Sequence, residues 1–188
     1  LCIEIHRQLN VPEAIALGRE IEKARPMFYE DPVRPDNFDD MQRVASEIHI
    51  PIATGERLHT LEEFGMLLAR NVCLCGGITQ AKKIAAAAEA RGVLVVPHNP
   101  LSPVSTAACI QLAASIPNFA IQEYPLGEDC APKNEIVKST LTLDNGYLTV
   151  PDSPGIGIEL NEQAMHQYPY KPRLYVTKLR EDGSVVDQ

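Results

Sequence analysis

Short apolar runs alternate with segments of helical spacing along the first two thirds of the chain. Apolar residues recur at helical intervals in Glu13–Lys23 and again in Phe38–Glu47. Val93–Val96 is a continuous apolar run, typical of a parallel strand buried on both faces. The other predicted elements are strands over Cys2–His6, Met27–Glu30, Ile50–Ala53 and Phe119–Glu123, and helices from Thr60 to about Arg70, over Gln80–Ala90 and over Thr106–Ala114. This order predicts a parallel α/β architecture, and at this level a barrel and an open sheet look alike.

Local signals place the start of three helices. Pro12 suits the first turn of a helix, where its missing N–H is not needed. Thr60 and Glu63 have the spacing of a capping box, in which the two residues bond reciprocally. Thr79 is the expected cap of the helix that follows it.

The pattern changes after Pro125. Two alternating runs flank Asn145-Gly146, which predicts a β-hairpin over residues 141–150. A short helix is predicted over Leu160–Gln167. We therefore divide the chain into a part of a (β/α) barrel, residues 1–125, and a C-terminal hairpin and loop segment, residues 126–188.

Composition excludes several classes of function. The chain has 17 Lys and Arg against 25 Asp and Glu, a net charge of −8, so no basic face is expected and no nucleic-acid partner is predicted. The long uncharged stretch Gly92–Gln122 is interrupted by prolines, which argues against a membrane span. Five irregularly placed Cys favour a reduced, cytoplasmic setting. Cys73 and Cys75 lack the second pair that a zinc site requires.

Ionisable side chains fall at the carboxyl ends of the predicted strands. They are Glu4, His6, Glu30, Glu56, His98 and Glu123. The steps from Glu4 to Glu30 and from Glu30 to Glu56 are both 26 residues, and the step from His98 to Glu123 is 25. In a parallel barrel these ends meet at the edge where catalysis is built. Three carboxylates there can hold a hard divalent cation, and two His can donate and accept protons.

One interval breaks this repeat. Glu56 and His98 are 42 residues apart, whereas two repeats would need about 52. Two helices occupy most of the interval, and only Asn71–Gly77 is left for a strand and its loops. The sequence therefore predicts that one internal strand is lacking. The three His outside the repeat, His49, His59 and His166, are predicted to be surface residues.

Five motifs in order resemble one enzyme family. They are Phe28-Tyr29-Glu30-Asp31-Pro32, Ile50-Pro51-Ile52-Ala53-Thr54-Gly55-Glu56-Arg57, Cys75-Gly76-Gly77-Ile78-Thr79, Pro97-His98-Asn99-Pro100-Leu101-Ser102-Pro103 and Asn118-Phe119-Ala120-Ile121-Gln122-Glu123-Tyr124. Together they resemble the mandelate racemase and muconate lactonizing branch of the enolase superfamily, and within it the acid-sugar dehydratases of the galactonate dehydratase type.

The resemblance implies a particular fold. Members of this branch combine a capping domain with a modified TIM barrel, (β/α)7β. The chain resembles the part from the third barrel strand onward, so we expect the first strands, one internal strand and the capping domain to be lacking. The tail hairpin is similar to the segment that packs on the capping domain. Relatives of this kind also suggest a homo-oligomer.

The resemblance also implies roles for single residues. Glu4, Glu30 and Glu56 match the three Mg²⁺ ligands, although the first is more usually Asp. His6 matches the general acid and His98 the general base. Glu123 matches a residue that hydrogen-bonds near the substrate carboxylate or the enediolate, and Arg57 is a candidate for binding the anionic substrate. No residue of the sequence matches the family's Asp partner of the His98 position.

The implied reaction is the dehydration of a sugar acid. The base removes the proton next to the carboxylate, a metal-stabilised enediolate forms, and loss of the 3-hydroxyl gives a 2-keto-3-deoxy acid. The two-His arrangement also allows a hydroxy-acid racemase or epimerase. A third hypothesis is a truncated, inactive barrel fragment, since exposed strand edges favour association. We expect the 188 residues made alone to lack dehydratase activity.

Overall fold

The computed structural model describes residues 1–68, 76–172, 174 and 176–184, without the side chain of Met165. The chain divides into two compact units. The first comprises Leu1–Cys73 with Leu174–Gln188, and the second comprises Leu74–Arg173. The boundary predicted at residue 125 falls inside the second unit. The division into a barrel part and a C-terminal segment stays a prediction.

The first unit is built from three consecutive strand and helix pairs. Its elements are β1 (Cys2–Glu4), α1 (Val11–Ile21), β2 (Phe28–Glu30), α2 (Phe38–Glu47), β3 (Ile52–Ala53) and α3 (Leu61–Leu68), with a 3₁₀ turn over Glu22–Ala24. The strands form a parallel sheet in the order β1-β2-β3. The alternation predicted from the sequence is confirmed here, since parallel neighbours need a crossover helix between them.

Side-chain caps fix where the helices of this unit begin. The Asn10 side chain accepts from the Glu13 backbone at 3.0 Å, and the Glu13 carboxylate accepts from the Asn10 backbone at 2.9 Å. The same reciprocal bonds join Thr60 and Glu63, at 3.2 and 2.9 Å, so the predicted capping box is confirmed. Pro12 lies in the first turn of α1, as expected.

The core of the first unit lies between the sheet and helices α1 and α2. Tyr29 and Val44 are fully buried at its centre. The helices approach closely at Gly18, where an added Cβ would lie only 2.9 Å from Cγ2 of Ile48. This packing holds the strands in register and so fixes where their carboxyl ends lie.

The second unit contains two longer helices and a set of short elements. They are α4 (Ile78–Glu89), α5 (Pro103–Ala113), a 3₁₀ turn over Lys133–Ile136, β4 (Leu143–Asp144), β5 (Tyr147–Leu148) and α6 (Ala164–Gln167). The hairpin prediction is confirmed, with Asn145 and Gly146 both at positive φ, as a tight turn of this kind requires. The predicted cap at Thr79 is wrong, because α4 begins earlier and its N-cap is Gly77, whose φ is +89°.

The strands predicted at Val93–Val96 and Phe119–Glu123 are reduced to a parallel bridge between Val95 and Phe119. A side chain accounts for this. The Asn118 amide donates to the Val93 carbonyl at 2.9 Å, so this carbonyl is bonded by a side chain rather than by a backbone N–H. Pro97 also has no N–H to extend the pairing.

Some sequence-based predictions fall outside the described residues. The shortened stretch that suggested a lacking strand includes residues 71–75, and Cys73 and Cys75 lie in it. In the described part of the chain, no helix combines the length and the apolar character needed to cross a membrane.

Candidate functional site

Three carboxylates meet at the carboxyl ends of the parallel strands of the first unit. Glu4 ends β1 and lies directly opposite Glu30, which ends β2. Glu56 follows β3 after a turn in which Gly55 adopts φ +123°, a value that a residue with a side chain rarely adopts. One oxygen of each carboxylate lies within 4.8 Å of the others. The structure thus brings together the three predicted ligands.

These carboxylates are held in an environment that disfavours their charge. Burial, followed by the charge of Glu4 and a hydrogen bond with it, raises the pKa of Glu30 to about 8. Burial also raises the pKa of Glu4, against the lowering effects of the His6 backbone N–H, which donates at 2.6 Å, and of the charge of His6. Like charges brought together in a partly buried place repel, and a cation relieves this repulsion.

A buried arginine braces the carboxylate cluster. Arg7 lies three residues after Glu4, and its guanidinium donates hydrogen bonds to Asp31 at 2.7 Å and to Glu56. Its backbone N–H donates to the Asp31 carbonyl at 2.7 Å. His6, Arg7 and Asp31 all adopt positive φ, from +40° to +63°, a strained region for residues with side chains. The network of Arg7 and Asp31 stabilises this strained junction between two strand ends.

The donor set fits a hard divalent cation. Carboxylate oxygens are the ligands that Mg²⁺ and Ca²⁺ prefer, and three of them from separate strands leave positions for water or substrate. The pKa of Glu30 is raised by burial and by the neighbouring negative charges, and a bound cation would offset the effect of both. Glu4, Glu30 and Glu56 are therefore the residues that could hold Mg²⁺.

Two further predicted residues lie beside this cluster. His6 follows β1 at the surface, and its backbone bond to Glu4 fixes where the residue leaves the strand. Nε of Arg57 lies 3.7 Å from Oε1 of Glu56, and its side chain is nearly half exposed. A general-acid role for His6 and a substrate-binding role for Arg57 stay predictions.

In the second unit, the structure brings together His98 and Glu123. Nδ1 of His98 lies 3.1 Å from Oε2 of Glu123. A carboxylate only accepts hydrogen bonds, so Nδ1 carries the proton, and a neutral imidazole then has its lone pair on Nε2. This bond from His98 is the first cause that holds the pKa of Glu123 below its usual range. The arrangement is that of a base oriented by a carboxylate.

Asn99 fixes the carboxylate of this pair. Its backbone N–H donates at 2.5 Å to the same Glu123 oxygen that faces His98. Its side-chain amide donates to the Glu123 carbonyl at 3.1 Å, and Asn99 is fully buried. No residue of the sequence matches the family's Asp partner of His98, but in the structure the Glu123 carboxylate contacts Nδ1 of His98. Its predicted role near a substrate carboxylate stays a prediction.

Arg7, Asp31 and Asn99 are functional residues to which the sequence pattern assigned no role, although Asp31 and Asn99 stand in the motifs quoted above. Each stands next to a residue that the pattern did single out: His6, Glu30 and His98. The signal that could have found them is a charged or amide residue next to a predicted site residue at a strand end. Its importance depends on burial, which the local pattern does not reveal.

The family of the chain emerges from comparison with known proteins. The family model described as "Enolase C-terminal domain-like" matches residues 1–164. A D-galactonate dehydratase of Verminephrobacter eiseniae is 33% identical over 173 residues, covering 85% of this chain and 45% of that protein. A D-galactonate dehydratase of Ralstonia pickettii is 34% identical over the same coverage. The chain thus spans about half the length of these relatives.

Solved structures agree with this assignment. A mandelate racemase/muconate lactonizing enzyme-like protein from Roseovarius sp. TM1035 is 35% identical with a TM-score of 0.86, covering 98% of this chain and 48% of that one. The mandelate racemase/muconate lactonizing enzyme from Jannaschia sp. CCS1 is 35% identical with a TM-score of 0.82, covering 90% of this chain and 45% of that one. The α/β fold is that of the enolase C-terminal, TIM-barrel-like domain, and the chain belongs to the mandelate racemase and muconate lactonizing branch of the enolase superfamily.

Proposed function

We propose that the chain carries the metal ligands and acid–base residues of a Mg²⁺-dependent sugar-acid dehydratase. The observation that carries this proposal is the cluster of Glu4, Glu30 and Glu56 at three parallel strand ends, with donor oxygens within 4.8 Å of one another. Relatives named D-galactonate dehydratase support a sugar acid as the substrate class. A Mg²⁺ ion held by these carboxylates would supply the positive charge that stabilises charge developing on the substrate carboxylate.

In this proposal His98 removes the proton next to the carboxylate. The Glu123 carboxylate, 3.1 Å from Nδ1, keeps the proton on that nitrogen, so Nε2 accepts the substrate proton. The imidazolium that forms is stabilised by the adjacent carboxylate, whose pKa is already lowered by His98.

His6 is the proposed general acid. It protonates the 3-hydroxyl as that group departs, so one water leaves and the enol product rearranges to a 2-keto-3-deoxy acid. The step balances: the substrate loses a proton to His98 and a hydroxide that leaves as water with the proton from His6. His98 then releases its proton to solvent and His6 takes one up, which restores both imidazoles. We also propose that Arg57 binds the acid substrate and that the protein acts in the cytoplasm as a homo-oligomer.

The test uses the polypeptide as the cell makes it, whether or not it extends beyond these 188 residues. A panel of sugar acids is incubated in D₂O with Mg²⁺ or with a chelator, and products are followed by mass spectrometry and NMR. We expect one sugar acid to lose water only when Mg²⁺ is present. Glu30→Gln should abolish this loss, and Glu20→Gln, an exposed carboxylate paired with Lys23, should not.

His98→Asn gives a second, sharper outcome. We expect it to abolish exchange of the proton next to the carboxylate with solvent, because the proton acceptor is gone. His166→Asn, at an exposed position of the same unit, is the matched control and should leave the exchange rate unchanged. Exchange without loss of water would favour the racemase or epimerase hypothesis. If no substrate shows either proton exchange or loss of water, the proposed enzymatic activity is refuted and the hypothesis of an inactive fragment is favoured.

A further inference from the structure

A line of buried polar groups runs behind the His98–Glu123 pair. It consists of Asn99 and Thr106, both fully buried, and Glu128, which is 1% exposed. Thr106 belongs to α5, and Glu128 lies in the loop after Pro125. Neither Thr106 nor Glu128 lies at the end of a predicted strand, so the sequence pattern indicates no role for either.

The hydrogen bonds in this line run in one direction. The Asn99 side-chain amide donates to the Thr106 hydroxyl at 2.6 Å. The Thr106 hydroxyl has two acceptors, Oε2 of Glu128 at 2.7 Å and the Ser102 carbonyl at 3.3 Å, and the shorter bond is the one to Glu128. With its proton directed at this Glu128 oxygen, the Thr106 hydroxyl turns its oxygen lone pairs toward the Asn99 amide. Bonds in such a chain strengthen one another.

This direction decides how Asn99 is oriented. One amide proton goes to Thr106 and the other goes to the Glu123 carbonyl at 3.1 Å. With the side chain held at both points, the Asn99 backbone N–H points at Oε2 of Glu123, 2.5 Å away. That oxygen is the one that His98 faces. Glu128 therefore reaches His98 through Thr106, Asn99 and Glu123.

A contribution to stability does not account for Glu128. Among the residues that the structure describes, its Oε1 is buried without a hydrogen-bond partner. A buried carboxylate that is only half satisfied destabilises a fold relative to an apolar residue of similar size. What the carboxylate does provide is a fixed direction for the Thr106 hydroxyl, which a neutral or apolar residue would not impose as strongly.

We propose that Glu128, acting through Thr106 and Asn99, is a positioning residue for the pair of His98 and Glu123. This inference rests on the proposed function in one respect only, namely that His98 is the base. It adds a second carboxylate that orients the first: Glu128 fixes Asn99, Asn99 fixes Glu123, and Glu123 fixes the ring of His98.

The test removes the middle of the line without changing its shape. Thr106→Val replaces the hydroxyl by a methyl group, and Thr106→Ser keeps the hydroxyl. Ser115→Ala is the matched control, because the Ser115 hydroxyl donates to the Leu112 carbonyl at 2.9 Å, at the end of the same helix and outside the line. The polypeptide is labelled with ¹⁵N-histidine, and the His98 signal is identified by its loss in His98→Asn.

The primary readout is the Nδ1–H resonance of His98, which a merely structural role of Thr106 would not move. We expect it to be downfield and slow to exchange in the unmodified chain, in Thr106→Ser and in Ser115→Ala. In Thr106→Val we expect it to move upfield or to be lost through exchange with water. An unchanged resonance in folded Thr106→Val protein would overturn the proposal.

The second readout is the exchange of the substrate proton. We expect Thr106→Val to lower kcat by on the order of 10-fold with little change in KM, and Thr106→Ser to restore it, since losses of this size are typical of residues that orient a reacting group. If the unmodified protein exchanges no substrate proton while its His98 resonance still depends on Thr106, the proposed function fails and the positioning role stands.

Glu128→Gln covers the case in which Thr106→Val does not fold. Glutamine keeps the size of the side chain and can still accept from Thr106, but it has no charge to direct the hydroxyl. We expect the His98 Nδ1–H resonance of Glu128→Gln to shift upfield, by less than the shift expected for Thr106→Val. A resonance identical to that of the unmodified chain would refute the role of Glu128.

Discussion

Binding of Mg²⁺ by the three glutamates should release protons, and the raised pKa of Glu30 gives the share that comes from this residue. The pKa of Glu30 is raised to about 8, first by burial and then by the neighbouring Glu4. At pH 7 a carboxyl with this pKa is about nine-tenths protonated, and a metal ligand must be ionised. We therefore expect Glu30 to release about 0.9 proton per bound ion at pH 7, about 0.5 at pH 8 and about 0.1 at pH 9.

The same pKa predicts how the stability of the metal-free chain changes with pH. Between the usual pKa of a Glu side chain, 4.5, and about 8, the folded chain binds a proton on Glu30 that the unfolded chain does not bind. Stability therefore falls as pH rises through this window. Saturating Mg²⁺ binds the ionised form, so the increase in Tm that it causes should be larger at pH 8 than at pH 6.

Isothermal titration calorimetry in two buffers of different ionisation enthalpy measures the released protons directly. Glu30→Gln should bind Mg²⁺ weakly and lose the pH-dependent release. Glu20→Gln removes an exposed carboxylate and should behave as the unmodified chain. Tight Mg²⁺ binding at pH 7 with no proton release would refute the reasoning, because it would mean that Glu30 is already ionised. No Mg²⁺ binding at any pH would refute the metal site itself.

Two stability predictions follow from the packing of the first unit. Gly18→Ala should destabilise the fold by about 1–3 kcal/mol, because its Cβ would lie 2.9 Å from Cγ2 of Ile48. Gly65→Ala should stabilise it by up to about 1 kcal/mol, because the added Cβ would meet no side chain of the described residues within 4 Å. Urea unfolding of both variants measures the contrast, and equal effects would contradict it. Arg7→Met should cost about 3–5 kcal/mol because it removes the guanidinium that bonds buried Asp31, and exposed Arg19→Met should cost less than about 1 kcal/mol in the same assay. A small loss in Arg7→Met would show that the buried ion pair is not needed.

Local signals sufficed to predict most elements of the first unit. The bounds predicted for α2, Phe38–Glu47, are those observed, since its apolar spacing and flanking residues agree. The reciprocal cap of Thr60 and Glu63 depends on residues three apart, so it could be read from the sequence. The three glutamates could be placed together because parallel strands in register bring their ends to one edge.

Long-range contacts explain what the sequence analysis did not predict. Thr79 has good capping chemistry, but the backbone turns at Gly77 and the helix starts before it. The apolar run Val93–Val96 indicates a strand, yet the pairing there depends on Asn118, whose side chain occupies a carbonyl of this run. The bond between His98 and Glu123 joins residues 25 positions apart, and its geometry depends on buried Asn99. None of these follows from local periodicity.

The two sets of carboxylates illustrate how one residue type serves opposite purposes. Glu30 is partly buried beside other acids, so its pKa is raised, and its negative charge would be balanced by a cation from outside the chain. Glu123 receives N–H groups from His98 and Asn99, so its pKa is lowered and its charge is satisfied by the chain itself. The negative charge of a metal ligand is balanced by the bound cation, whereas a carboxylate that orients a histidine has to stay ionised throughout the reaction. The surroundings of each glutamate therefore favour the role proposed for it, and exchanging the two roles would require exchanging their neighbours as well.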